Sequence, residues 1–282
     1  MNKNICMVTG ANRGIGKAIA LGLAQRGATV VMVCRDRQSG EKAQAEIRAA
    51  TGNQDIDLMI ADLASLESVR QLASKYQEIY TRLDVLINNA GLAKKQFTRT
   101  VDGFETTFAV NHLAPFLLTN LLLNSLRNSA DARVINVSSL VHKWGKIDFD
   151  DLHGEKNYDM DRAYNQSKLA NVLFTYALAR HLPGTTISVN SMEPGMTDTG
   201  FGQEYTGFKA FMSKAWKPFL ATPEKAAGTA LYLAFSDEVK GVSGKHFVKG
   251  RAVKSSKDSY DENLAQRLWE VSERLTGLKG EI

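Results

Sequence analysis

Two groups of residues carry chemistry in their types and spacing. Thr9-Gly10-Ala11-Asn12-Arg13-Gly14-Ile15-Gly16 follows a short apolar run and leads into helical spacing. Glycines there let backbone amides approach a diphosphate, and the helix that follows points its positive N-terminus at the anion. The spacing is G-x-x-x-G-x-G, which differs from the G-x-G-x-x-G dinucleotide fingerprint, and a plain strand-to-helix turn satisfies the same letters. The second group is Tyr164 with Lys168. At i and i+4 of a helix the phenol and the ammonium share one face. A neighbouring cation favours the phenolate, bringing a group that titrates near ~10 toward working pH and making it an acid/base. Tyr205-Thr206-Gly207-Phe208-Lys209 also reads Y-x-x-x-K, but Gly207 weakens a helix there. Tyr205 is therefore assigned a structural or substrate-loop role.

These residues need elements to position them. Short β-branched runs alternate with longer segments of helical spacing: 5–9 then 14–25, 29–34 then 39–51, and 57–60 then 65–80. The alternation continues with 85–88 before a helix over 102–127, 133–138 before one over 161–181, and 186–192 before one over 222–235, with 244–248 as a last strand. Ser39, Ser65 and Thr222 are expected to start their helices, Thr222 with Pro223 at the first helical position. Strand-helix alternation with nearly unbroken apolar strands predicts an α/β fold, a doubly wound parallel sheet of the Rossmann kind. No linker, repeat or low-complexity tract divides the chain, so residues 1–282 are expected to form a single domain. Three segments fall outside the pattern: a polar connection over 140–160, a loop over 195–220 and an amphipathic terminal helix over 262–275. In open α/β sheets ligands bind beyond the carboxyl ends of the strands, which makes the first two candidates for a substrate lid, with plain surface insertion as the alternative.

Composition bounds the class. With 44% apolar and 23% charged residues the chain is an ordinary globular protein, not a disordered, collagen-like or coiled-coil one. The formal net charge, 35 − 30 = +5, leaves nucleic acid, an anionic membrane surface and anionic small molecules open as partners. Cys6 and Cys34 are the two cysteines, each in an apolar run, so a disulfide scaffold is excluded and a reducing, cytoplasmic setting is expected. The first residues lack the pattern of a signal peptide. The greasiest stretch, 113–126, is broken by Pro115, Thr119, Asn120, Asn124 and Ser125, too short and polar to span a bilayer. His112, His142, His153, His181 and His246 are scattered without a second histidine or carboxylate at ligand spacing, so no metal site is expected. His142 and His153 are placed to touch substrate from the long connection.

Further marks occur in order: Asn88-Asn89-Ala90-Gly91 after the fourth strand, Asn111 in the next helix, Ser138-Ser139 closing the fifth strand, and Pro194-Gly195 after the sixth. Together with the glycine turn and Tyr164-Asn165-Gln166-Ser167-Lys168 they resemble the short-chain dehydrogenase/reductase family over essentially the whole chain. The Asn-Val-Ser-Ser strand ending, the long connection to the tyrosine and Ser-Lys-Leu-Ala-Asn-Val-Leu-Phe resemble its retinol-dehydrogenase-like branch. The resemblance implies an oxidoreductase interconverting an alcohol with an aldehyde or ketone, where hydride transfer to or from a nicotinamide is matched by proton transfer at the substrate oxygen. Tyr164 would be the acid/base and Lys168 its electrostatic tuner, also bonding the nicotinamide ribose. Ser139 would hold the substrate oxygen, with Ser138 as the fallback. Asn111 would join the lysine to solvent through a water, or else is a helix-interior amide bonded to nearby backbone. The implied cofactor contacts are Gly10, Asn12, Arg13, Gly14, Ile15, Gly16, Arg35, Asp62, Leu63, Asn89, Ala90, Gly91, Tyr164, Lys168, Pro194, Gly195, Met196, Thr197 and Thr199; Asp62 and Leu63 would meet the adenine, or serve as an N-cap region.

Cofactor choice follows from charge. An NAD enzyme needs a carboxylate on the ribose at the end of the second strand, an NADP enzyme a cation for the 2′-phosphate. By family spacing Cys34 stands where the acid would be and Arg35 follows it, while Arg13 lies in the glycine turn. Two cations suited to bidentate phosphate contact favour NADP(H). Asp36 argues for NAD(H) if the strand runs one residue longer. Phe201, Phe208, Phe211, Trp216 and Phe219 put aromatic surface after Pro194-Gly195, fitting an apolar tunnel for a retinoid, steroid-like or long-chain substrate, or a helix packed on the core. A catalytically silent nucleotide sensor or scaffold is the alternative function, which the complete set Asn111, Ser139, Tyr164 and Lys168 disfavours. The run 239–257 holds Lys240, Lys245, Lys249, Arg251, Lys254 and Lys257 and no acid, a solvated surface or a contact for anionic lipid, and no nucleic-acid partner is expected. The family pairs subunits through its long helices, implying a homodimer or homotetramer unless the terminal helix blocks an interface.

Overall fold

A computed structural model describes residues 3–195 and 222–278. Its sheet has eight strands: β1 (Ile5–Thr9), β2 (Thr29–Cys34), β3 (Ile56–Ile60), β4 (Val85–Asn88), β5 (Ala132–Val137), β6 (Ile187–Glu193), β7 (Lys245–Val248) and β8 (Arg251–Val253). Their spatial order is β3-β2-β1-β4-β5-β6-β7-β8, parallel throughout except for the antiparallel β7–β8 pair. The strand residues alternate between two cores, one on each face. Met7, Val31, Val33, Leu86 and Val134 face one; Cys6, Val8, Val30, Met32, Val85, Ile87 and Ile135 face the other. A period of two with apolar residues on both sides is what a sheet covered on both faces requires.

Helices α1 (Gly14–Gln25), α2 (Arg37–Thr51) and α8 (Pro223–Phe235) cover one face, packing Ile19, Leu23, Ile47 and Leu233. Helices α3 (Leu66–Ile79), α5 (Ala114–Leu121), α7 (Met160–His181) and α9 (Glu262–Thr276) cover the other. The short α4 (Thr106–Phe108) and α6 (Leu123–Arg127) flank α5. Ser65 and Thr222 cap α3 and α8 as expected, their side chains accepting from Ser68 N and Lys225 N. No helix among the described residues is long and apolar enough to cross a membrane.

Three expectations need correction. Ser39 is not the N-cap of α2: Asp36 is, its carboxylate accepting from Ser39 N at 2.8 Å, so the helix starts at Arg37. The single helix expected over 102–127 is instead α4, a π-helical turn (Ala109–Leu113), α5 and α6. Pro115 has no N–H for the carbonyl four residues back, which is that of Asn111, and the helix widens at that point. Asp102 lies before these helices and accepts from Leu66 N. The last strand is β8, not 244–248: Lys249 and Gly250, at φ 50° and 73°, join Val248 to Arg251 in a two-residue hairpin.

The terminal helix is part of the core. Asp261 caps α9 and Gly277, in the left-handed region, ends it. Trp269 lies edge-on to Phe116 of α5, with ring centroids 4.9 Å apart, and against His181 of α7 at 4.3 Å. Its burial and aromatic pairing make it the main anchor of α9. Trp269→Ala is expected to lower the free energy of unfolding by about 3–5 kcal/mol in urea titration. An unchanged midpoint would place α9 outside the cooperative unit.

Candidate active site

Among the described residues, the expected glycine turn, Asn89–Gly91 and Ser138–Ser139 lie at the carboxyl ends of the strands, around the point between β1 and β4 where the strand order reverses. Thr9 ends β1, and its hydroxyl accepts from Asn89 N and Ala90 N, both at 3.0 Å. Asn89 Nδ2 returns a bond to Thr9 O at 2.8 Å. These contacts hold Asn89, Ala90 and Gly91 beside the glycine turn. Gly10 and Gly14 have φ of 68° and 54°, conformations that side chains strain. A Cβ on Gly16 would lie 2.2 Å from the Gly10 carbonyl oxygen and 2.5 Å from Asn89 Nδ2, so only glycine lets α1 start this close to the sheet. The side of Gly14 is open, a Cβ there meeting nothing within 4 Å. Arg13 caps α1 with no side-chain bond to the helix, and the first turn has no acid, so neither a cap nor a carboxylate competes for an anion there. Ile15 is buried behind the turn, and Asn12 Nδ2 donates to Ser39 Oγ at 3.1 Å, fixing the turn against α2.

Arg35 is exposed immediately beyond β2, and Arg13 is exposed in the glycine turn. Asp36 is spent on the cap of α2, where the bonds from Ser39 hold its carboxyl below the usual range. Asp62 is exposed after β3, accepting from Ala64 N at 3.0 Å, with Leu63 half-buried beside it. Ser65, not Asp62, caps the helix that follows.

The second cluster lies between β5 and α7. Asp159 caps α7 by accepting from Arg162 N at 2.8 Å. From there Tyr164 is half-buried and Lys168 fully buried one turn on, with Lys168 Nζ 5.4 Å from the centre of the phenol ring. Nζ donates to the Val137 carbonyl at 3.1 Å. Desolvation pushes Lys168 down to about 8, so the ammonium persists only to mildly alkaline pH. Gly91 brings the two clusters together: a Cβ on it would stand 3.3 Å from Lys168 Nζ and 3.4 Å from Asn111 Oδ1. Asn111, in the widened turn, accepts from Leu92 N and donates to Leu92 O, both at 2.8 Å, and to Ser167 Oγ at 3.0 Å. It clamps the Asn89–Leu92 backbone to α7.

Ser138 and Ser139 separate cleanly. The Ser138 hydroxyl is buried and donates to Lys168 O at 2.8 Å. Ser139 is extended, half-buried, and opens the 3-10 turn Leu140–Trp144. Pro194 and Gly195 follow β6, Gly195 with φ 79°. Met196, Thr197 and Thr199, together with Tyr205 and the aromatic residues Phe201, Phe208, Phe211, Trp216 and Phe219, lie outside the described residues.

Other expectations fare differently. His142 faces inward and is 0% exposed, against the expected substrate contact. His153 is wedged beside Phe104 and Phe108 and accepts from Glu105 N at 3.3 Å. Beyond the 3-10 turn the 140–160 connection meets α9, with Arg267 over the Phe149 ring at 4.0 Å, and returns to the segment after β4, where Tyr158 donates to Lys94 O at 2.7 Å. Cys6 and Cys34 are free, buried thiols, with burial pushing Cys34 up to about 11. Thr9 and Ser167 stand inside the two motifs without a role of their own in the sequence, although a polar residue closing an apolar strand is a signal for the part Thr9 plays.

The model of the short chain dehydrogenase family matches residues 4–209. Human retinol dehydrogenase 13 is 46% identical over 280 residues, covering 97% of this chain and 84% of its own. Mouse retinol dehydrogenase 14 is 42% identical over 292 residues, covering 99% and 87%. Among solved structures, an uncharacterized protein from Mycobacterium paratuberculosis is 34% identical with a TM-score of 0.79, over 99% of this chain and 95% of that one. A short chain dehydrogenase from Shigella flexneri complexed with NADP is 27% identical with a TM-score of 0.71, over 89% and 98%. With the glycine turn, the Asn89–Gly91 segment and the Tyr164–Lys168 pair gathered at one edge of a doubly wound sheet, the chain belongs to the short-chain dehydrogenase family, in its retinol-dehydrogenase-like branch, and is an oxidoreductase.

Proposed function

We propose that the protein interconverts a lipophilic alcohol with its aldehyde or ketone, using NADP(H). The observation that carries this reading is the convergence of Gly91, Asn111 and the buried Lys168 ammonium behind the half-exposed Tyr164 phenol. The residues fit a nicotinamide dinucleotide: Gly14 leaves the start of α1 open to the diphosphate, Gly10 and Gly16 let the turn pack closely on Asn89 and Ala90, and Gly91 borders Lys168. When bound, the nicotinamide supplies or accepts the hydride. Tyr164 Oη gives a proton to the carbonyl oxygen in reduction and takes it back in oxidation. Lys168 lowers the cost of the phenolate by Coulomb attraction in a site sheltered from water. Ser139 is the serine with an uncommitted place in the cleft, since the Ser138 hydroxyl is bonded to Lys168 O. It would hold the substrate oxygen beside Tyr164.

NADP(H) is preferred over NAD(H) because Arg35 is exposed just beyond β2 and Arg13 in the glycine turn, while the Asp36 carboxylate caps α2. The apolar substrate class is supported by Leu140 and Trp144, 38% and 65% exposed just beyond Ser139, and by the names of the curated relatives.

Tyr164→Phe is expected to cut turnover by at least about 100-fold while NADPH binding, read by fluorescence, is unchanged. An undiminished rate would remove the mechanism and leave a nucleotide-binding scaffold. Arg35→Ser is expected to raise the KM for NADPH roughly tenfold to a hundredfold, the value of a charge-assisted bond, with the KM for NADH nearly constant. Equal changes for both cofactors would overturn the 2′-phosphate assignment. Carbonyl reduction needs both the Tyr164 proton and the Lys168 cation, so kcat/KM for reduction is expected to fall as pH rises through about 8, with the limb moved upward in Lys168→Arg. A profile that stays flat well above that pH would contradict the role of the ammonium.

A further inference from the structure

Apart from the catalytic cleft, three residues remote in sequence meet in a buried cluster that the reaction does not use. In the β6–β7 ladder His246 pairs with Ser191, and Glu193, two residues on, projects from the same face of the sheet. His142, on the 3-10 turn Leu140–Trp144, lies over them with its ring centre 4.8 Å from that of His246. One potential ligand atom from each of His142, Glu193 and His246 falls within 4.8 Å of the others, and all three residues are buried.

Two of these atoms have no hydrogen-bond partner: His246 Nε2 and Glu193 Oε2, 3.8 Å apart. A buried imidazole nitrogen and a buried carboxylate oxygen left unmatched side by side are costly, and such gaps are usually closed by something bound. The far side of each ring is already held. His142 Nδ1 is 2.6 Å from the Ser139 carbonyl oxygen, which only an N–H can satisfy, and His246 Nδ1 is 2.8 Å from Ser191 Oγ. The carbonyl puts the proton on His142 Nδ1, and with Ser191 Oγ accepting from His246 Nδ1 the His246 Nε2 lone pair faces Glu193, while that of His142 Nε2 faces Ser256 N. Metal-ligating histidines are fixed in this way, by an oxygen acceptor on the other ring nitrogen.

We propose that His142, Glu193 and His246 form a binding site for a divalent transition metal of the zinc class. Two imidazoles and one carboxylate are a donor set such ions take, with a fourth position left for water. Bonds of about 2.0–2.2 Å would place tetrahedral ligand atoms roughly 3.4 Å apart, so the 3.8 Å pair closes by a few tenths of an ångström and His142, whose ligand atom lies within 4.8 Å of the others, moves in by up to about 1.4 Å. His142 Nε2 now accepts from Ser256 N at 3.1 Å, and the metal takes that lone pair. Binding therefore releases the Ser256 backbone while it ties the Ser139 turn to Glu193, the residue before Pro194. The metal touches neither substrate nor cofactor. It positions the two segments that border them.

Chelator-stripped, tag-free protein titrated with Co2+ is expected to bind one equivalent with visible d–d absorption, displaced by Zn2+, and Zn2+ is expected to raise the thermal unfolding midpoint. His246→Gln and the isosteric Glu193→Gln are each expected to weaken Co2+ binding by at least about 100-fold, whereas His153→Gln, outside the cluster, retains it. Wild-type protein that takes up no stoichiometric Co2+ or Zn2+ at micromolar concentration overturns the proposal, leaving a water or a shared proton between Glu193 and His246. Folded variants that bind as the wild type does overturn it too. X-ray absorption of the wild-type cobalt form needs no variant: two imidazole nitrogens in the first coordination sphere support the assignment, and their absence refutes it.

Discussion

A lysine ammonium enclosed by protein is the constraint around which the rest is arranged. Lys168 has given up bulk water, and burial alone lowers its affinity for the proton. Its charge is useful only if backbone oxygen, an aromatic face and a cleft replace that water in the right directions. The Val137 carbonyl at the end of β5 and the Tyr164 ring do this. Gly91 is what leaves room for Nζ, and the Asn111 clamp on Leu92 keeps the Gly91 backbone at that distance. Strand end, helix face and glycine segment are thus mutually dependent.

The same dependence runs into the core as a polar chain. Asn88 donates to Thr119 of α5 and to Asn136 of β5, and Asn136 donates to Thr175 of α7. Hydrogen-bonded amides and hydroxyls buried between sheet and helices permit one register, where apolar contacts alone would tolerate several. Arg133, also on β5 and buried, reaches the other way to the Leu233 and Ser236 carbonyls at the end of α8. The central strands therefore fix the helices on both faces to the sheet that carries the site.

What could be read in the sequence was local. The glycine turn and the Tyr164–Lys168 pair each fit within a turn or two of chain, so their spacing carries their geometry. The strand-helix alternation likewise reflects the period of each segment. What escaped depends on contacts across the fold. Thr9 meets Asn89 because β1 and β4 are neighbours, and the letters around either residue do not encode that. The helix expected over 102–127 reads as one apolar run, yet Pro115 shapes the turn four residues upstream, where Asn111 sits. The scattered histidines looked inert because His142 and His246 are separated by most of two strand-helix units. Strand β8 escaped for a different reason, since the charge of its surroundings masked a short hairpin.

That hairpin has a bearing on how the sheet ends. A parallel sheet stops with a row of unpaired amides and carbonyls, an invitation to another chain. Here Lys249 and Gly250 reverse the direction, and the outermost strand is Arg251-Ala252-Val253, short and exposed, followed by Lys254. A neighbouring strand seeking to extend the sheet would have to desolvate these cations against its own backbone. The basic run that looked like an attraction for some other molecule also places charge along the β8 edge of the sheet, where it opposes pairing with another strand.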